Sequence, residues 1–287
     1  MKIFINGQFF EKKDAKVSVF DHGFLYGDGA FEGIRSYSGL VFKLQEHIDR
    51  LFETAHTMMI PMSLTKQHLA KSITDTLKKN QLRDAYIRVI VTRGEGDLGL
   101  DPRKCYGRPN VIIITDKIVL YPAELYQKGL EIITEPTERN HNEALNHQLK
   151  SLNYLNNILA KIEANNSGFS EAIMLDAQGY VAECTGDNIF ILKNGVLSTP
   201  YNGRLRGITR DAVLELAAQH KISTRECLIT RHEIFNAQEC FLTGTAAEII
   251  PVVKVDGRLI ADGKPGKMTQ KMIKLFHEMT RKAGVRY

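Results

Sequence analysis

Tight-turn dipeptides between pairs of apolar runs constrain the fold of this chain most strongly. Asn6-Gly7, Asn194-Gly195 and Asp256-Gly257 each separate two short runs that are rich in apolar residues. Asn-Gly and Asp-Gly readily adopt the positive φ angles of two-residue turns, so each of these sites predicts a β-hairpin. Because one hairpin lies near the amino terminus and two lie in the second half, we expect antiparallel strands in both halves of the chain.

Helical patterns separate these strands. Apolar residues recur at spacings of three and four in residues 46–59, 65–79, 208–220 and 268–282, as on the buried face of an amphipathic helix. With 287 residues, the chain is long enough for two ordinary domains. We therefore expect a mixed α/β (α+β) fold with a small α+β domain at 1–117, an interdomain segment at 118–128 and a larger domain at 129–287. Ligands would bind in a cleft between the domains.

Composition argues against several functional classes. The 38 basic and 33 acidic residues give a net charge of +5, and they are dispersed, so a nucleic-acid partner is not expected. The four cysteines have no CxxC spacing and no nearby histidine pairs, which is typical of free thiols in a reducing compartment and not of a disulfide framework or a metal site. Without a signal-peptide core or an apolar run of transmembrane length, the sequence predicts a cytoplasmic protein with no membrane partner.

The segment HQLKSLNYLNNILAKIEANNSG, residues 147–168, raises the main chemical question. One face of a helix after Lys150 would carry Leu152, Leu155, Ile158, Leu159 and Ile162. This spacing predicts an amphipathic helix with a buried apolar face. Lys150 would then precede the first turn, where the helix dipole disfavours a cation. A solvated lysine at the start of a helix is the ordinary explanation, so a chemical role depends on which other residues accompany it.

The segment AYIRVIVTRG, residues 85–94, predicts a strand with a polar face. Tyr86, Arg88 and Ile90 share this face, whereas Ile87, Val89 and Val91 share the other. An arginine is costly to bury without a partner. This face therefore either meets solvent at a sheet edge or binds a carboxylate, which suits the planar guanidinium fork. Glu183 stands at the end of another predicted strand, where a glutamate alone is compatible with a surface position.

Two turns are candidates for binding an anion. Ile208 and Thr209 begin a predicted helix, where Thr209 could cap the helix and backbone N–H groups could bind an anion. Thr245 and Ala246 follow a predicted strand and could present N–H groups in the same way. Ordinary helix capping and an ordinary tight turn are the alternatives.

A phosphorylated aldehyde cofactor would use all of these groups together. Lys150 offers an amine, Glu183 a carboxylate and Tyr154, four residues after the lysine, a phenol. The two turns would offer N–H groups to a phosphate. None of these signals is specific alone, but the set is of the kind that such a cofactor requires.

Six motifs resemble those of the class IV aminotransferases and occur in the same order: FDHGFLYGDGAFEGIRSY, EHIDRL, KSLNYLNNILAK, GYVAECTGDNIFI, GITRDA and FLTGTAAEIIPV. This family depends on pyridoxal 5'-phosphate and includes branched-chain aminotransferases, D-amino acid aminotransferases and aminodeoxychorismate lyases. The motifs FEGIRSY, YIR at 86–88 and GTAAEI resemble the branched-chain enzymes. Some bacterial branched-chain members have one more residue between the lysine and the tyrosine. The spacing of four found here resembles both D-amino acid enzymes and archaeal branched-chain enzymes.

By position, the resemblance implies that Lys150 is the catalytic residue, which forms an imine with the cofactor and later carries a proton between the substrate Cα and the cofactor C4'. Tyr154 would bind the ring oxygen, and Glu183 would pair with the pyridine nitrogen. The residues implied to hold the phosphate are Arg50, Ile208, Thr209 and Thr245. The groups implied to bind the substrate carboxylate are Tyr86, Arg88 and the N–H groups of Thr245 and Ala246. The residues implied to shape the side-chain pocket are Tyr26, Phe31 and Gly33.

The resemblance implies a transaminase of branched-chain amino-acid biosynthesis that moves the amino group of L-leucine, L-isoleucine or L-valine to 2-oxoglutarate. It implies that the cofactor lies in the interdomain cleft, that 129–287 is the cofactor-binding domain and that the protein is a homodimer or a higher homo-oligomer. A D-amino acid aminotransferase or an aminodeoxychorismate lyase of the same family is the nearest alternative. A non-catalytic phosphate- or nucleotide-binding protein built on the same cleft is the alternative from another class.

Overall fold

The chain forms two units, each with its own sheet and its own buried apolar cluster. The computed structural model describes residues 1–117 and 121–287. The first unit comprises Met1–Ile118, Leu149–Asn153 and Thr280–Tyr287, and the second comprises Val119–Gln148 and Tyr154–Met279. Two short segments from later in the chain therefore belong with the amino-terminal unit.

The strands, in chain order, are β1 (Lys2–Ile5), β2 (Gln8–Glu11), β3 (Gly29–Tyr37), β4 (Leu40–Phe42), β5 (Ala85–Thr92), β6 (Asn110–Asp116), β7 (Leu130–Thr134), β8 (Ala172–Leu175), β9 (Val181–Cys184), β10 (Asn188–Lys193), β11 (Val196–Pro200), β12 (Ser223–Cys227), β13 (Glu239–Gly244), β14 (Glu248–Val255), β15 (Arg258–Leu259) and β16 (Gly284–Arg286). The α-helices are α1 (His22–Tyr26), α2 (Leu44–Thr57), α3 (Lys66–Lys79), α4 (Ala123–Lys128), α5 (Leu155–Asn166), α6 (Ile208–Gln219), α7 (Arg231–Phe235) and α8 (Lys267–Thr280).

The first unit is built on an antiparallel sheet with the strand order β16-β4-β3-β5-β6-β1-β2 among the described residues. The predicted hairpin at Asn6-Gly7 is confirmed, with φ angles of 50° and 92° at the two residues. The predicted helices at 46–59 and 65–79 are confirmed as α2 and α3, which pack on the sheet. The residues that these helices and β5 bury together are Ile48, Leu51, Ala55, Leu69, Ile73, Leu77, Ile87, Val89 and Val91. This core covers one face of β3 and β5, and Tyr86 and Arg88 lie on the other face.

The second unit has a sheet with the strand order β12-β11-β10-β13-β14-β7-β8-β9, and β15 pairs with β14. The predicted hairpins at Asn194-Gly195 and Asp256-Gly257 are confirmed as β10–β11 and β14–β15. β7 and β12, each of which has a parallel partner, were not predicted from the sequence. β12 is an exposed polar edge strand, so it carries no apolar alternation to identify it. α4 falls within the predicted interdomain segment 118–128, of which residues 118–120 lie outside the described part of the chain.

The helix after Lys150 differs from the prediction in its start and in its buried face. α5 begins at Leu155, so Leu152 is not part of it. The four apolar residues of the predicted stripe that lie within α5 are 47–66% exposed: Leu155, Ile158, Leu159 and Ile162. The helix buries Asn157, Ala160 and Ala164 instead. The prediction of a buried apolar face was therefore wrong, because periodicity shows that a helix face is apolar but not what covers it.

The predicted carboxyl-terminal helix is confirmed as α8, but it ends at Thr280. A further strand, β16, follows and pairs with β4, with Gly284 opposite Phe42. This strand was not predicted because it is short and exposed. Within residues 1–117 and 121–287, none of the helices has the length and apolar character needed to cross a membrane.

Candidate active site

Lys150 lies on an extended segment that pairs with the beginning of β3. The N–H of Phe31 donates to the carbonyl of Lys150 at 2.9 Å, and the N–H of Leu152 donates to the carbonyl of Gly29 at 2.8 Å. These bonds fix the backbone of Lys150 independently of α5. The conflict with a helix dipole that the sequence suggested does not arise, because a strand edge and not a helix terminus positions the lysine.

The side chains of Lys150 and Arg88 both lie against the ring of Phe31. Lys150 Nζ is 4.5 Å from the ring centroid, and Arg88 Cζ is 4.3 Å from it. Arg88 Cζ is also 5.6 Å from the centroid of the Tyr86 ring. The predicted placement of Tyr86 and Arg88 on one face of β5 is confirmed, since both are half-buried while the residues between them are buried. Cations are attracted to the face of an aromatic ring, so Phe31 helps to orient both charged side chains.

Gly33 lies directly under the Tyr86 ring. A Cβ at position 33 would lie 2.9 Å from Tyr86 Cζ and would overlap the phenol oxygen. Gly33 is also opposite Arg88 in the register of β3 and β5. Only glycine therefore leaves room for the phenol beside the arginine. Tyr26, at the end of α1, donates its hydroxyl proton to the carbonyl of Leu98 and is 38% exposed.

A buried carboxylate that the sequence analysis missed anchors Arg50. Arg50 Nε and Nη2 donate to the two oxygens of Glu32 at 2.7 and 2.9 Å, and His47 Nδ1 lies 2.8 Å from Glu32 Oε2. Burial raises the pKa of Glu32, but the charge of Arg50 and the contacts with His47 outweigh it and hold the pKa at about 2. Burial lowers the pKa of His47, so at neutral pH the neutral ring donates from Nδ1 to the carboxylate. A phosphate would have to bind Arg50 through its other N–H groups.

Glu183, in β9 of the second unit, is a buried carboxylate with three donors. Arg139 Nε donates to Oε1 at 3.0 Å, the N–H of Leu205 donates to Oε2 at 3.0 Å, and Asn188 Nδ2 donates to Oε2 at 3.4 Å. Glu183 is 6% exposed, which excludes the surface position that its sequence context allowed. These donors offset the cost of burying the charge. Because a carboxylate has about four acceptor sites, Glu183 can accept a hydrogen bond from one more donor.

Arg139 connects Glu183 to α5 through two amides. Its Nη1 donates to Asn156 Oδ1 at 3.1 Å and to Asn157 Oδ1 at 3.2 Å. Asn157 Nδ2 in turn donates to the carbonyl of Thr185 at 2.9 Å. The guanidinium is thereby held beside Glu183. Sequence reasoning missed Arg139 and Asn157, because an arginine and an asparagine in polar segments have no pattern that distinguishes them from surface residues.

The N-terminus of α6 has no side-chain cap. Its N-cap residue is Gly207, and the helix begins at Ile208. The prediction that Thr209 caps the helix was wrong, because Thr209 lies within the first turn and is buried. A Cβ at position 207 would overlap Asn188 Oδ1, so the backbone approaches the Glu183 cluster closely. The first N–H groups of a helix lack intrahelical acceptors and lie at the positive end of its dipole, which suits a phosphate.

The turn between β13 and β14 contains Thr245 and Ala246. A Cβ on Gly244, which ends β13, would overlap the carboxyl of Asp187, a residue that lies between β9 and β10. Burial and the nearby charge of Glu171 raise the pKa of Asp187 to about 8. Burial and the Glu171 charge therefore favour the neutral form of the Asp187 carboxyl, which lies beside the turn.

Each unit offers groups that fit part of pyridoxal 5'-phosphate. The first unit offers the Lys150 amine for the aldehyde and the Arg50 guanidinium for the phosphate. The second offers the buried Glu183 carboxylate for a protonated pyridine nitrogen and the open N-terminus of α6 for the phosphate. Tyr154 belongs to the second unit, as the N-cap residue of α5. Among the described residues, no group of histidine, cysteine and acidic side chains could hold a metal ion. The amine, guanidinium, carboxylate and N–H groups named above are of the kinds that pyridoxal 5'-phosphate requires.

Comparison with known proteins agrees with this chemistry. The family model Amino-transferase class IV matches residues 29–255. A protein of Methanocaldococcus jannaschii, whose name assigns it provisionally to the branched-chain-amino-acid aminotransferases, is 52% identical over 288 residues, covering 100% of this chain and 99% of that protein. The crystal structure of Escherichia coli branched-chain amino acid aminotransferase matches with a TM-score of 0.94 and 35% identity, covering 96% of this chain and 93% of that chain.

A second solved structure also matches along almost the whole chain. It is a T.th. branched-chain amino acid aminotransferase complexed with N-(5'-phosphopyridoxyl)-L-glutamate, with a TM-score of 0.91 and 32% identity, covering 98% of this chain and 94% of that chain. These similarities confirm the predicted mixed α/β fold of the class IV type. The chain belongs to the class IV amino-transferase family.

Proposed function

We propose that this protein is a pyridoxal 5'-phosphate-dependent transaminase that moves the amino group of L-leucine, L-isoleucine or L-valine to 2-oxoglutarate. The observation that carries the proposal is the placement of Lys150 and Arg88 against one ring, that of Phe31. An amine for the cofactor and a guanidinium for a carboxylate are thereby presented together. The names of the similar proteins support branched-chain substrates, and the phosphopyridoxyl-glutamate complex supports the cofactor and glutamate.

Lys150 supplies the reacting amine and moves the proton in this proposal. When bound, pyridoxal 5'-phosphate supplies an aldehyde that condenses with amines and a ring that takes up the electron pair left when a Cα–H bond breaks. We assign to Lys150 the amine that links to the aldehyde. With the substrate amine in its place, Lys150 would take the proton from the substrate Cα and would deliver it to C4'. Because β3 holds the backbone and Phe31 orients the side chain, Nζ can return to the same position in each turnover.

Glu183 would hold a proton on the pyridine nitrogen of the bound cofactor, and that proton would make the ring a better acceptor of electrons. Arg139 and the N–H of Leu205 fix both carboxylate oxygens, so the geometry is set before the ligand arrives. Tyr154 would donate to the ring oxygen of the cofactor.

We assign four residues to the phosphate of the cofactor. The N–H groups of Ile208 and Thr209 would bind it at the N-terminus of α6, and Thr245 would add a donor from the turn after β13. Arg50 would contribute a charge whose orientation Glu32 fixes through two hydrogen bonds.

The protein would recognise both the carboxylate and the side chain of the substrate. Arg88 and Tyr86 would bind the α-carboxylate, together with the N–H groups of Thr245 and Ala246. Tyr26, Phe31 and Gly33 would shape the pocket for the substrate side chain, and these residues give it an aromatic wall without a charged group. An apolar wall gains about 1–3 kcal/mol per methylene, so the three branched donors should differ modestly, and aspartate should be poor.

We also propose that the protein is a cytoplasmic homodimer or higher homo-oligomer. The support for self-association is the exposed apolar face of α5, formed by Leu155, Ile158, Leu159 and Ile162. Contiguous exposed apolar residues of this kind mark interaction sites. The support for a reducing compartment is that the four cysteines are free thiols.

Steady-state kinetics with a panel of L- and D-amino acids and 2-oxoglutarate tests the proposal. We expect the highest kcat/KM for L-leucine, L-isoleucine and L-valine. Arg88→Ala should lower kcat/KM for all three by a similar factor, because it acts on the shared carboxylate and not on the side chain. Arg225→Ala, a change at an exposed residue of β12, is the control and should have no effect.

Other results would favour the alternatives. A kcat/KM for D-alanine above that for L-leucine would replace the branched-chain proposal with a D-amino acid aminotransferase. Release of pyruvate from aminodeoxychorismate would indicate a lyase. A protein that shows no cofactor absorbance and is not modified by borohydride would be a non-catalytic binding protein.

A further inference from the structure

Three arginines line a cavity in the second unit that the proposed function does not use. The cavity has a volume of about 510 Å³, within the range of small-molecule sites. We call it the arginine cavity, and its lining residues are Gln148, Arg204, Arg206, Arg210, Asp211, Leu214 and Glu226. The segment before α6, the first turn of α6 and the strand β12 together provide all of its charged residues.

Two of the guanidinium groups are buried and share one acid. Arg204 and Arg210 are 7% and 1% exposed. Each donates from Nη2 to Glu226 Oε2, at 2.9 Å from Arg204. Arg204 Nε also donates to the carbonyl of Pro200 at 2.6 Å. Arg210 Nε, in contrast, is buried and has no hydrogen-bond partner among the described residues. A buried donor on a charged group is costly to leave unsatisfied, and Nε is such a donor although the other nitrogens of Arg210 have acceptors.

The wall of the arginine cavity carries more positive than negative charge. Three arginines face two acids, Asp211 and Glu226, and Asp211 is itself shared between Arg206 at 2.9 Å and Arg210 at 3.2 Å. The Glu226 side chain is 46% exposed, so water weakens its compensation of the buried cations. Burial lowers the pKa of Arg204, and the charge of Arg210 lowers it further. The two buried cations therefore repel each other across one partly exposed carboxylate.

We propose that the arginine cavity binds a small oxyanion with two negative charges, either inorganic phosphate or the phosphate group of a phosphomonoester. Guanidinium forks bind phosphate through paired hydrogen bonds, and a wall of net positive charge attracts a dianion. This site would use Arg204, Arg206 and Arg210, whereas the proposed cofactor phosphate site uses Arg50, Thr245 and the N–H groups of Ile208 and Thr209. The inference goes beyond the proposed function and does not depend on it.

Isothermal titration calorimetry of the cofactor-saturated protein with inorganic phosphate, at constant ionic strength, tests this proposal. We expect one phosphate site per chain in the wild type. Arg204→Gln should weaken binding by about tenfold or more, because it removes one charged partner of the anion. Glu226→Gln should strengthen binding by about threefold or more, because it removes the carboxylate that competes for both buried arginines. Arg225→Gln, next to Glu226 but outside the cavity lining, is the matched control and should change Kd by less than about twofold.

Several outcomes would overturn the proposal. One is the absence of binding heat in both the wild type and Glu226→Gln. Another is an equal loss in Arg204→Gln and Arg225→Gln, which would indicate an adventitious ion only. A third is release of the phosphate by further cofactor, which would place it in the cofactor site. If Arg204→Gln does not fold, Arg206→Gln is the variant to test, because the Arg206 side chain is 72% exposed and its loss should not disturb folding. Arg206→Gln should weaken phosphate binding by about threefold.

A parallel titration with glycerol 2-phosphate separates the two sources of the anion. Tighter binding than that of inorganic phosphate would identify a phosphomonoester as the preferred ligand. Weaker binding would identify free phosphate. In both cases Glu226→Gln should still strengthen the binding, and a failure to do so would contradict the proposed site.

Discussion

Replacing Gly33 with alanine should damage substrate binding without unfolding the protein. A Cβ at this position would lie 2.9 Å from Cζ and 3.2 Å from Cε2 of Tyr86. Ordinary contacts of a Cβ begin near 3.4 Å, so the difference between 3.4 and 2.9 Å requires a movement of about 0.5 Å at Cζ, and the phenol oxygen must move further. Tyr86 is half-buried, so its ring can shift toward solvent while β3 and β5 stay paired.

The proposed role of the Tyr86 phenol makes this movement measurable. If the phenol binds the substrate carboxylate beside Arg88, a displacement of about 1 Å should lower kcat/KM by roughly ten- to a hundredfold. This corresponds to about 1.4–2.7 kcal/mol of transition-state stabilisation. The loss should be similar for leucine, isoleucine and valine, because the three substrates share the carboxylate. Steady-state kinetics of the wild type and Gly33→Ala with each donor measures it.

A double mutant tests whether the effect acts through Tyr86. Tyr86→Phe alone should lower kcat/KM by about tenfold, and adding Gly33→Ala should cost little more, because the phenol oxygen is already gone. Gly195→Ala, in the hairpin between β10 and β11, is the control. Its Cβ meets nothing within 4 Å, and its φ of 78° should reduce stability but not activity. An unchanged kcat/KM in Gly33→Ala, or fully additive losses in the double mutant, would refute the reasoning.

Three further predictions concern Glu183, Glu32 and the apolar face of α5. Glu183→Gln should retain the cofactor and lower kcat about a hundredfold, because a neutral amide does not hold a proton on the pyridine nitrogen. Cofactor absorbance measures the first effect and steady-state kinetics the second, and a near-normal kcat would contradict the prediction. Folding lowers the pKa of Glu32 from 4.5 to about 2. The ionised carboxylate therefore contributes roughly 3 kcal/mol to the free energy of unfolding above pH 4.5, and this contribution is lost as the pH falls from 4.5 to 2. Urea unfolding at neutral pH and at about pH 3 should show about 2 kcal/mol of this loss in the wild type but not in Glu32→Gln, and equal losses in both proteins would contradict it. Leu159→Asp should dissociate the homodimer, as measured by sedimentation velocity, whereas the control Leu259→Asp, the same change on the exposed strand β15, should not. A monomeric wild type would contradict the prediction.

The elements that the sequence predicted well are those that depend on local chemistry. The turn at Asn6-Gly7 needs only residues that tolerate positive φ, which both of them adopt. The two faces of β5 follow from strand alternation alone, and the placement of Tyr86 and Arg88 on one face followed from it. The resemblance then identified candidate site residues by position.

The features that the sequence did not predict depend on partners that are distant in the chain. Lys150 is placed by pairing with β3, which no pattern around residue 150 indicates. Glu32 anchors Arg50 from a buried strand position, and a single glutamate in an apolar strand does not reveal its partner. The exposed face of α5 was misjudged for the same reason, because local periodicity does not show which surface will cover it.

Borohydride reduction of the cofactor-loaded protein, followed by peptide mass mapping, tests the central claim that Lys150 links to the cofactor. Lys150→Ala is the control, and it should keep the fold because the pairing with β3 uses only backbone atoms. We expect a reduced cofactor label on the peptide that contains Lys150 in the wild type and no such label in the variant. A label on any other lysine of the wild type would contradict it.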